Sequence, residues 1–220
     1  MLFRSDKQLA EQAEKTRMEC LDKLCPGDVE PKRDMAAAVA LKLNGQWYLG
    51  PKEYFSTGIH GASFMWWAHK PLSSQMKLPP EVQVLASAGK ADEVSVVMFL
   101  RSHDGIMHGP SRPSHLQQAE AEGRLISKDR PRPGLEVWRV RETDGFGPAV
   151  WYVATAYRDG DPNGAVLSCR DNNPQFDICT TAFIWRPGIS ADMRFRAKHA
   201  LDWPEIYQET NRVLQLLKKA

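Results

Sequence analysis

His103, His108 and His115 fall within one stretch of thirteen residues, with Asp104 beside the first of them. Imidazoles and a carboxylate are the donors of a zinc site, so this is the first place to look for chemistry. Their spacing follows neither one face of a helix nor a ligand motif, and polar loop residues are the expected reading. Ser102-His103-Asp104 contains the residue types of a hydrolytic triad. Three consecutive side chains cannot line up as nucleophile, base and orienter, so the tripeptide carries no such expectation. The chain has no GxSxG elbow, no phosphate-cradling glycine loop and no HExxH helix. Arg124, Lys128, Arg130 and Arg132 make a basic run broken by Asp129 and two prolines. It lacks the aromatic side chains on which single-stranded nucleic acid stacks, and a solvated loop is expected. The residues thus predict no catalytic group, cofactor or metal, and a chain that is not an enzyme. Carboxylates converging from distant strands would leave no local motif.

The four cysteines fall in two local pairs, Cys20 with Cys25 and Cys169 with Cys179. An even number so arranged is what an oxidising compartment produces, and of the three formal connectivities the two local bonds are favoured. Four reduced, buried cysteines are the alternative, and a zinc site fits the spacings less well. Cys20 and Cys25 lie about 140° apart around a helix, so a bond between them requires the last helical turn to unwind. An oxidised chain also needs an export or anchor segment. Met1-Leu2-Phe3 is followed at once by Arg4-Ser5-Asp6-Lys7, so the expectation is a trimmed chain whose missing N-terminal segment directed export or tethering.

The elements that must position these residues come next. With 220 residues, 42% hydrophobic and 25% charged, the chain has the composition of one globular domain with a sizeable core. A net charge of +2 supplies no whole-molecule field toward nucleic acid or anionic lipid, and no nucleic-acid partner is expected. No apolar run is long enough to cross a bilayer.

Residues 1–34 read as a charged helix over 5–24, stopped by Pro26-Gly27, and an exposed linker. Residues 35–201 read as a sheet-rich body. Asn44-Gly45 between two apolar alternations predicts a two-residue hairpin. The run 62–67, Ala-Ser-Phe-Met-Trp-Trp, is expected to be a buried strand, with a binding surface as the alternative. Further strands are expected at 94–100, 135–140, 150–157, 165–169, 179–185 and 193–196, and short helices at 80–88 and 114–124. Residues 202–220 read as a helix whose stripe is Trp203, Ile206, Tyr207, Thr210, Val213, Leu214 and Leu217, with Asp202 as N-cap and Glu205 completing a capping box. Strands following strands by short turns predict an α+β fold: a mainly antiparallel sheet with an N-terminal helix and a long C-terminal helix packed on it.

Three segments near the start, Leu24-Cys25-Pro26-Gly27-Asp28-Val29, Leu41-Lys42-Leu43-Asn44-Gly45-Gln46-Trp47-Tyr48 and Gly50-Pro51-Lys52-Glu53-Tyr54, resemble the opening of a family of proteobacterial proteins found beside type VI secretion spike genes. Phe183-Ile184-Trp185-Arg186-Pro187-Gly188-Ile189, His199 and Asp202-Trp203-Pro204-Glu205-Ile206-Tyr207-Gln208-Glu209 resemble its end. These proteins are similar to the immunity partners of antibacterial phospholipase (lipase) effectors. The resemblance implies a periplasmic protein, often tethered to the inner membrane by an N-terminal segment, that binds and blocks a lipase effector. An inhibitor needs a rigid surface burying on the order of 1,600 Å² rather than chemistry. Its expected contacts are aromatic and apolar residues of loops between strands: Tyr54, Phe55, Ile59, Trp66, Trp67, Ile106, Met107 and Phe146, each with core packing as the competing reading. An effector chaperone and a periplasmic hydrolase with loop-borne catalytic residues are the rival functions.

Overall fold

A computed structural model describes residues 6–57, 60–67, 70–73, 93–102, 113–142, 148–155, 166–170 and 178–220. The mixed, mainly antiparallel α+β class holds. A small sheet is formed by β1 (Ala38–Leu43), β2 (Gln46–Pro51) and β13 (Lys218–Lys219). A long sheet runs in the order β3 (Phe55–Ser56), β4 (Gly61–Trp67), β6 (Glu93–Ser102), β12 (Ile189–Arg196), β11 (Ile178–Arg186), β10 (Val166–Arg170), β9 (Pro148–Ala154), β8 (Leu135–Arg141) and β7 (Leu125–Arg132), with β5 (Lys70–Ser73) paired to β4. All the described pairs are antiparallel.

Alternation along these strands sends successive side chains to opposite faces. The register of the pairs aligns Ala62, Phe64, Met98, Leu100, Ala191, Met193, Phe183, Cys179, Cys169 and Leu135 on one face, hereafter the first. All ten are buried in the main hydrophobic core. The helix α3 (Trp203–Gln215) contributes to the same core, and its seven expected stripe positions are all buried, Leu217 lying just beyond its end. Contacts with the sheet are specific: the Phe183 and Tyr207 rings meet edge-on at 5.2 Å, Phe195 stacks on Trp203 at 6.2 Å, and the Thr210 hydroxyl lies 3.1 Å from the Met193 sulfur.

The second face is covered differently along its length. Trp138, Val140, Ala149, Trp151, Val153 and Val166 form a separate core with Leu116 and Ala119 of α2 (Pro113–Ala121). These lie at the β8–β9–β10 end of the sheet.

Four expectations need correction. The N-terminal helix α1 (Asp6–Glu19) stops five residues short of the expected end, and its described side chains from Ala10 to Glu19 are all exposed. It is not packed on the sheet, because its polar residues leave no apolar stripe wide enough to bury. The basic run is not a loop but, from Leu125, β7, an edge strand hydrogen-bonded to β8, with Lys128, Asp129 and Arg130 exposed. Charges along an outer strand discourage edge-to-edge association. At the chain's end α3 closes at Gln215, and Lys218–Lys219 pair with β2 instead of continuing the helix. Asp202 makes no capping hydrogen bond; its backbone lies at φ −86°, ψ 10°, at the end of a 3-10 helix (Ala197–Asp202) that leads into α3. Its carboxylate is turned elsewhere, as described below. The expected helix at 80–88 lies outside the described residues.

The Asn44-Gly45 hairpin forms as expected, with φ of 49° and 71° at the two positions, the left-handed pair that a type I′ turn demands. A second turn, at Gly188 (φ 76°), approaches it so closely that a Cβ there would lie 2.2 Å from the Asn44 side chain. A side chain at Gly188 would be strained by that left-handed φ and would push the Asn44 amide aside.

Candidate partner-binding surface

Both local cysteine pairs are bonded, Cys20 to Cys25 and Cys169 to Cys179. Cys169 and Cys179 sit side by side on β10 and β11 within the first-face core, at 3% and 0% exposure. The Cys20–Cys25 ring follows the end of α1, where the chain has left the helix and the bond can close. The ring acts as a clip between α1 and the body. Within it, the Asp22 carboxylate accepts the Ser102 N–H at 2.7 Å, the Ser102 hydroxyl, and the Asn44 N–H at 3.2 Å. The Leu21 carbonyl accepts the Gly45 N–H at 2.9 Å. Just after the ring, Asp28 accepts the Cys25 N–H at 2.7 Å and the Lys42 ammonium at 2.5 Å. Those two donors hold its carboxyl below the ordinary carboxylate range.

The same geometry accounts for Ser102. Its hydroxyl donates to Asp22 and accepts the Asn44 N–H at 2.8 Å, so both its roles are used in fastening the hairpin to β6. His60, at φ 46°, is half-buried, and desolvation lowers its pKa against the opposing pull of Asp22. His103, Asp104 and His108 lie outside the described residues. Among the described residues no cluster of three or more His, Cys, Asp or Glu side chains is placed to hold a metal.

Two further polar groups sit against the core, Asp202 half-buried and Glu136 buried. At the head of α3, Asp202 Oδ2 accepts the Trp66 indole N–H at 2.9 Å and lies 3.0 Å from His199 Nδ1. That pair ties β4 to the 3-10 helix. On the second face of β8, Glu136 is 1% exposed; one carboxylate oxygen takes the Arg130 fork at 3.0 and 2.7 Å, and the other takes the Trp138 indole N–H at 3.1 Å. A cavity of about 590 Å³ lies alongside, lined in part by Arg130, Arg132, Glu136 and Thr155. Glu136 therefore serves as an anchored counter-charge to β7, and a free acid or base is not what this geometry builds.

Of the residues expected to contact a partner, Phe55 and Trp66 are 3% and 2% exposed. They are core side chains of the first face, which corrects the expectation of a surface role. Tyr54 is half-buried, and its hydroxyl accepts from Arg212 Nη2 at 3.2 Å. Trp67 ends β4 on the second-face register, without a described side chain. Ile59, Ile106, Met107 and Phe146 lie outside the described residues.

What those expectations missed is the rest of the second face. Between β4 and β10 the outward positions are Met65, Val97, Phe99, Ala182 and Ile184, all half-buried, with Ile178 57% exposed. None joins either hydrophobic core. Arg101, Arg170, Arg194 and Arg196 share the face and are exposed, with Asp192 among them. Arg194 lies over the Phe99 ring at 5.5 Å, and Arg101 pairs with Asp192 at 2.8 Å. The signal was in the sequence: Arg194 and Arg196 alternate with Met193 and Phe195, and Ile178, Ala182 and Ile184 with Cys179 and Phe183. No family model, curated relative or solved structure matches the chain. On the second face the polar outward positions of β12, Asp192 and Arg194 among them, lie between the apolar positions of β6 and those of β11.

Proposed function

We propose that this chain is an immunity protein: a disulfide-braced, periplasmic inhibitor that binds and blocks a cognate antibacterial phospholipase effector of a type VI secretion system. The observation that carries the reading is where the resemblance-bearing segments lie. Separated by more than a hundred residues in the chain, they meet in one structural unit. Tyr48 and Trp185 are 5.7 Å apart, Phe183 faces Tyr207 at 5.2 Å, Asp28 pairs with Lys42, and the Gly188 turn abuts Asn44. The segments that carry the likeness thus pack into one framework. Two further features support the compartment. Both cysteine pairs are bonded, as an oxidising environment allows, and no described helix is long and apolar enough to cross a membrane.

Inhibition by occlusion asks for a surface that does not rearrange, because ordering on binding subtracts from affinity. Protection at low copy number calls for nanomolar binding or tighter, about 12 kcal/mol. The test is a titration of the purified chain into a phospholipase assay of the lipase effector encoded beside its gene. The expected result is loss of activity that is complete at a fixed molar ratio, with no turnover by the chain alone. Binding without loss of activity would instead indicate a chaperone, and hydrolysis by the isolated chain an enzyme; either result removes the proposal.

A further inference from the structure

We infer that Asn44 is a deamidation site that the Cys20–Cys25 ring keeps shut. The site is independent of the inhibitor reading. Asparagine followed by glycine is the dipeptide at which a side-chain amide is most readily lost, because glycine has no side chain to hinder its nitrogen. In that reaction hydroxide takes the proton of the Gly45 N–H, and the nitrogen attacks Asn44 Cγ. The N–Cγ bond forms, the Cγ–Nδ2 bond breaks, and ammonia leaves with a proton returned by water. Water then opens the cyclic imide at either carbonyl to leave aspartate or isoaspartate, so water and hydroxide are the only co-reactants.

The turn presents this chemistry and the ring restrains it. Asn44 and Gly45 are both exposed. The strand ladder closes at Leu43 and Gln46, so the two turn N–H groups fall outside it. The ring takes both. Its Leu21 carbonyl accepts the Gly45 N–H at 2.9 Å, and its Asp22 carboxylate accepts the Asn44 N–H at 3.2 Å. The attacking nitrogen is thus the donor that Leu21 holds, and this hydrogen bond must open before the nitrogen can lose its proton and swing onto Cγ. Leu21 and Asp22 lie inside the loop that Cys20–Cys25 closes, just after a helix whose described side chains from Ala10 to Glu19 are exposed. Without the bond the segment regains the freedom of an open chain, and the Leu21 carbonyl can leave the turn. The product would make that departure permanent. Aspartate at position 44 brings a second carboxylate close to Asp22, and isoaspartate adds a carbon to the backbone of a turn built for two residues.

The test holds the chain in mildly alkaline buffer and follows, by peptide mapping, the amide-to-acid mass gain of the tryptic 43–52 peptide. Asn163-Gly164 repeats the dipeptide outside the described residues and falls in a different tryptic peptide, which is followed alongside. Oxidised wild type is compared with Cys20→Ser/Cys25→Ser, its fold checked by circular dichroism, and with a blocked synthetic peptide of residues 40–49. The wild type is expected to react at least about 30-fold more slowly than the peptide, and the folded variant at least about tenfold faster than the wild type. Should the double variant not fold, Asp22→Ala replaces it, with an expected rise of about threefold because the Leu21 carbonyl remains. A wild type as fast as the peptide would show that Asn44 is not protected at all. A folded variant as slow as the wild type would show that the turn protects itself, which removes the ring from the account. A rise shared in equal proportion by the Asn163 peptide would report general loosening and overturn the local restraint.

Discussion

The two faces of the long sheet are built from alternate residues of the same strands, yet among the described residues one is buried throughout and the other unevenly. Along β11, Cys179, Thr181 and Phe183 are buried, while Ile178 and Thr180 are exposed and Ala182 and Ile184 half-buried. Along β12, Met193 and Phe195 are buried and Arg194 and Arg196 exposed. The difference lies in what covers each side. Among the described residues, helix α3 packs a continuous apolar stripe on the first face with β1 and β2 beside it, whereas α2 brings Leu116 and Ala119 to the β8–β10 end of the second. A strand's hydrophobic pattern therefore reports the supply of covering elements as well as the strand itself.

Substitutions at matched positions would break or sharpen this comparison. The largest expected effect is Phe183→Ala, which opens a cavity beneath Tyr207 at a side chain 1% exposed and is expected to cost about 3–5 kcal/mol. Phe99→Ala, two strands away on the open side, is expected to cost less than about 1 kcal/mol. Equal costs in urea unfolding would mean that the second face is packed after all. Replacing both Cys169 and Cys179 by alanine should cost about 3 kcal/mol, from the length of the loop that the bond closes. Reductant should cost the wild-type chain that loss together with the Cys20–Cys25 contribution, and the variant the Cys20–Cys25 contribution alone. Leu116→Ala tests the smaller lid: at 2% exposure the leucine is expected to contribute about 2 kcal/mol, near the lower end for such truncations because one short helix can settle into the space.

The smallest effect is in acid. Arg132 holds the Glu205 carboxyl below its ordinary range, fastening β7 to the first turn of α3, as Lys42 does for Asp28. A carboxylate whose folded pKa is depressed stabilises fully above its unfolded value, and that stabilisation is lost as pH falls through the folded value. The melting temperature should therefore hold from neutrality to about pH 5 and decline below about pH 4. In Arg132→Ala the decline should be shallower; an unchanged acid profile would remove Glu205 from the account.

Much of this framework was legible in the residues. The α3 stripe, the Asn44-Gly45 turn and the buried Ala62, Phe64 and Trp66 alternation follow from local periodicity and turn chemistry, which a single sequence states directly. The β7 strand was not legible, since charged and proline residues fit an edge strand or a loop equally until β8 is seen beside it. Asp202 was misjudged for a similar reason: its type and spacing suit a cap, but a tryptophan indole 136 residues earlier in the chain claims the carboxylate. Partner contacts were sought in aromatic residues, and two of those, Phe55 and Trp66, turned out to be where the chain most needed apolar bulk inside. Which of a strand's two sides stays open depends on elements far away in sequence, so the Phe99–Arg194 surface was written in the alternation without being assignable to solvent.

The position of β12 has a consequence for synthesis. It lies between β6 and β11 yet follows both in the chain, so the strand that joins the two wings of the long sheet is made after them. A nascent chain ending before Ile189 holds β4–β6 and β7–β11 as separate wings with two naked edges, and the sheet can close only once β12 is present.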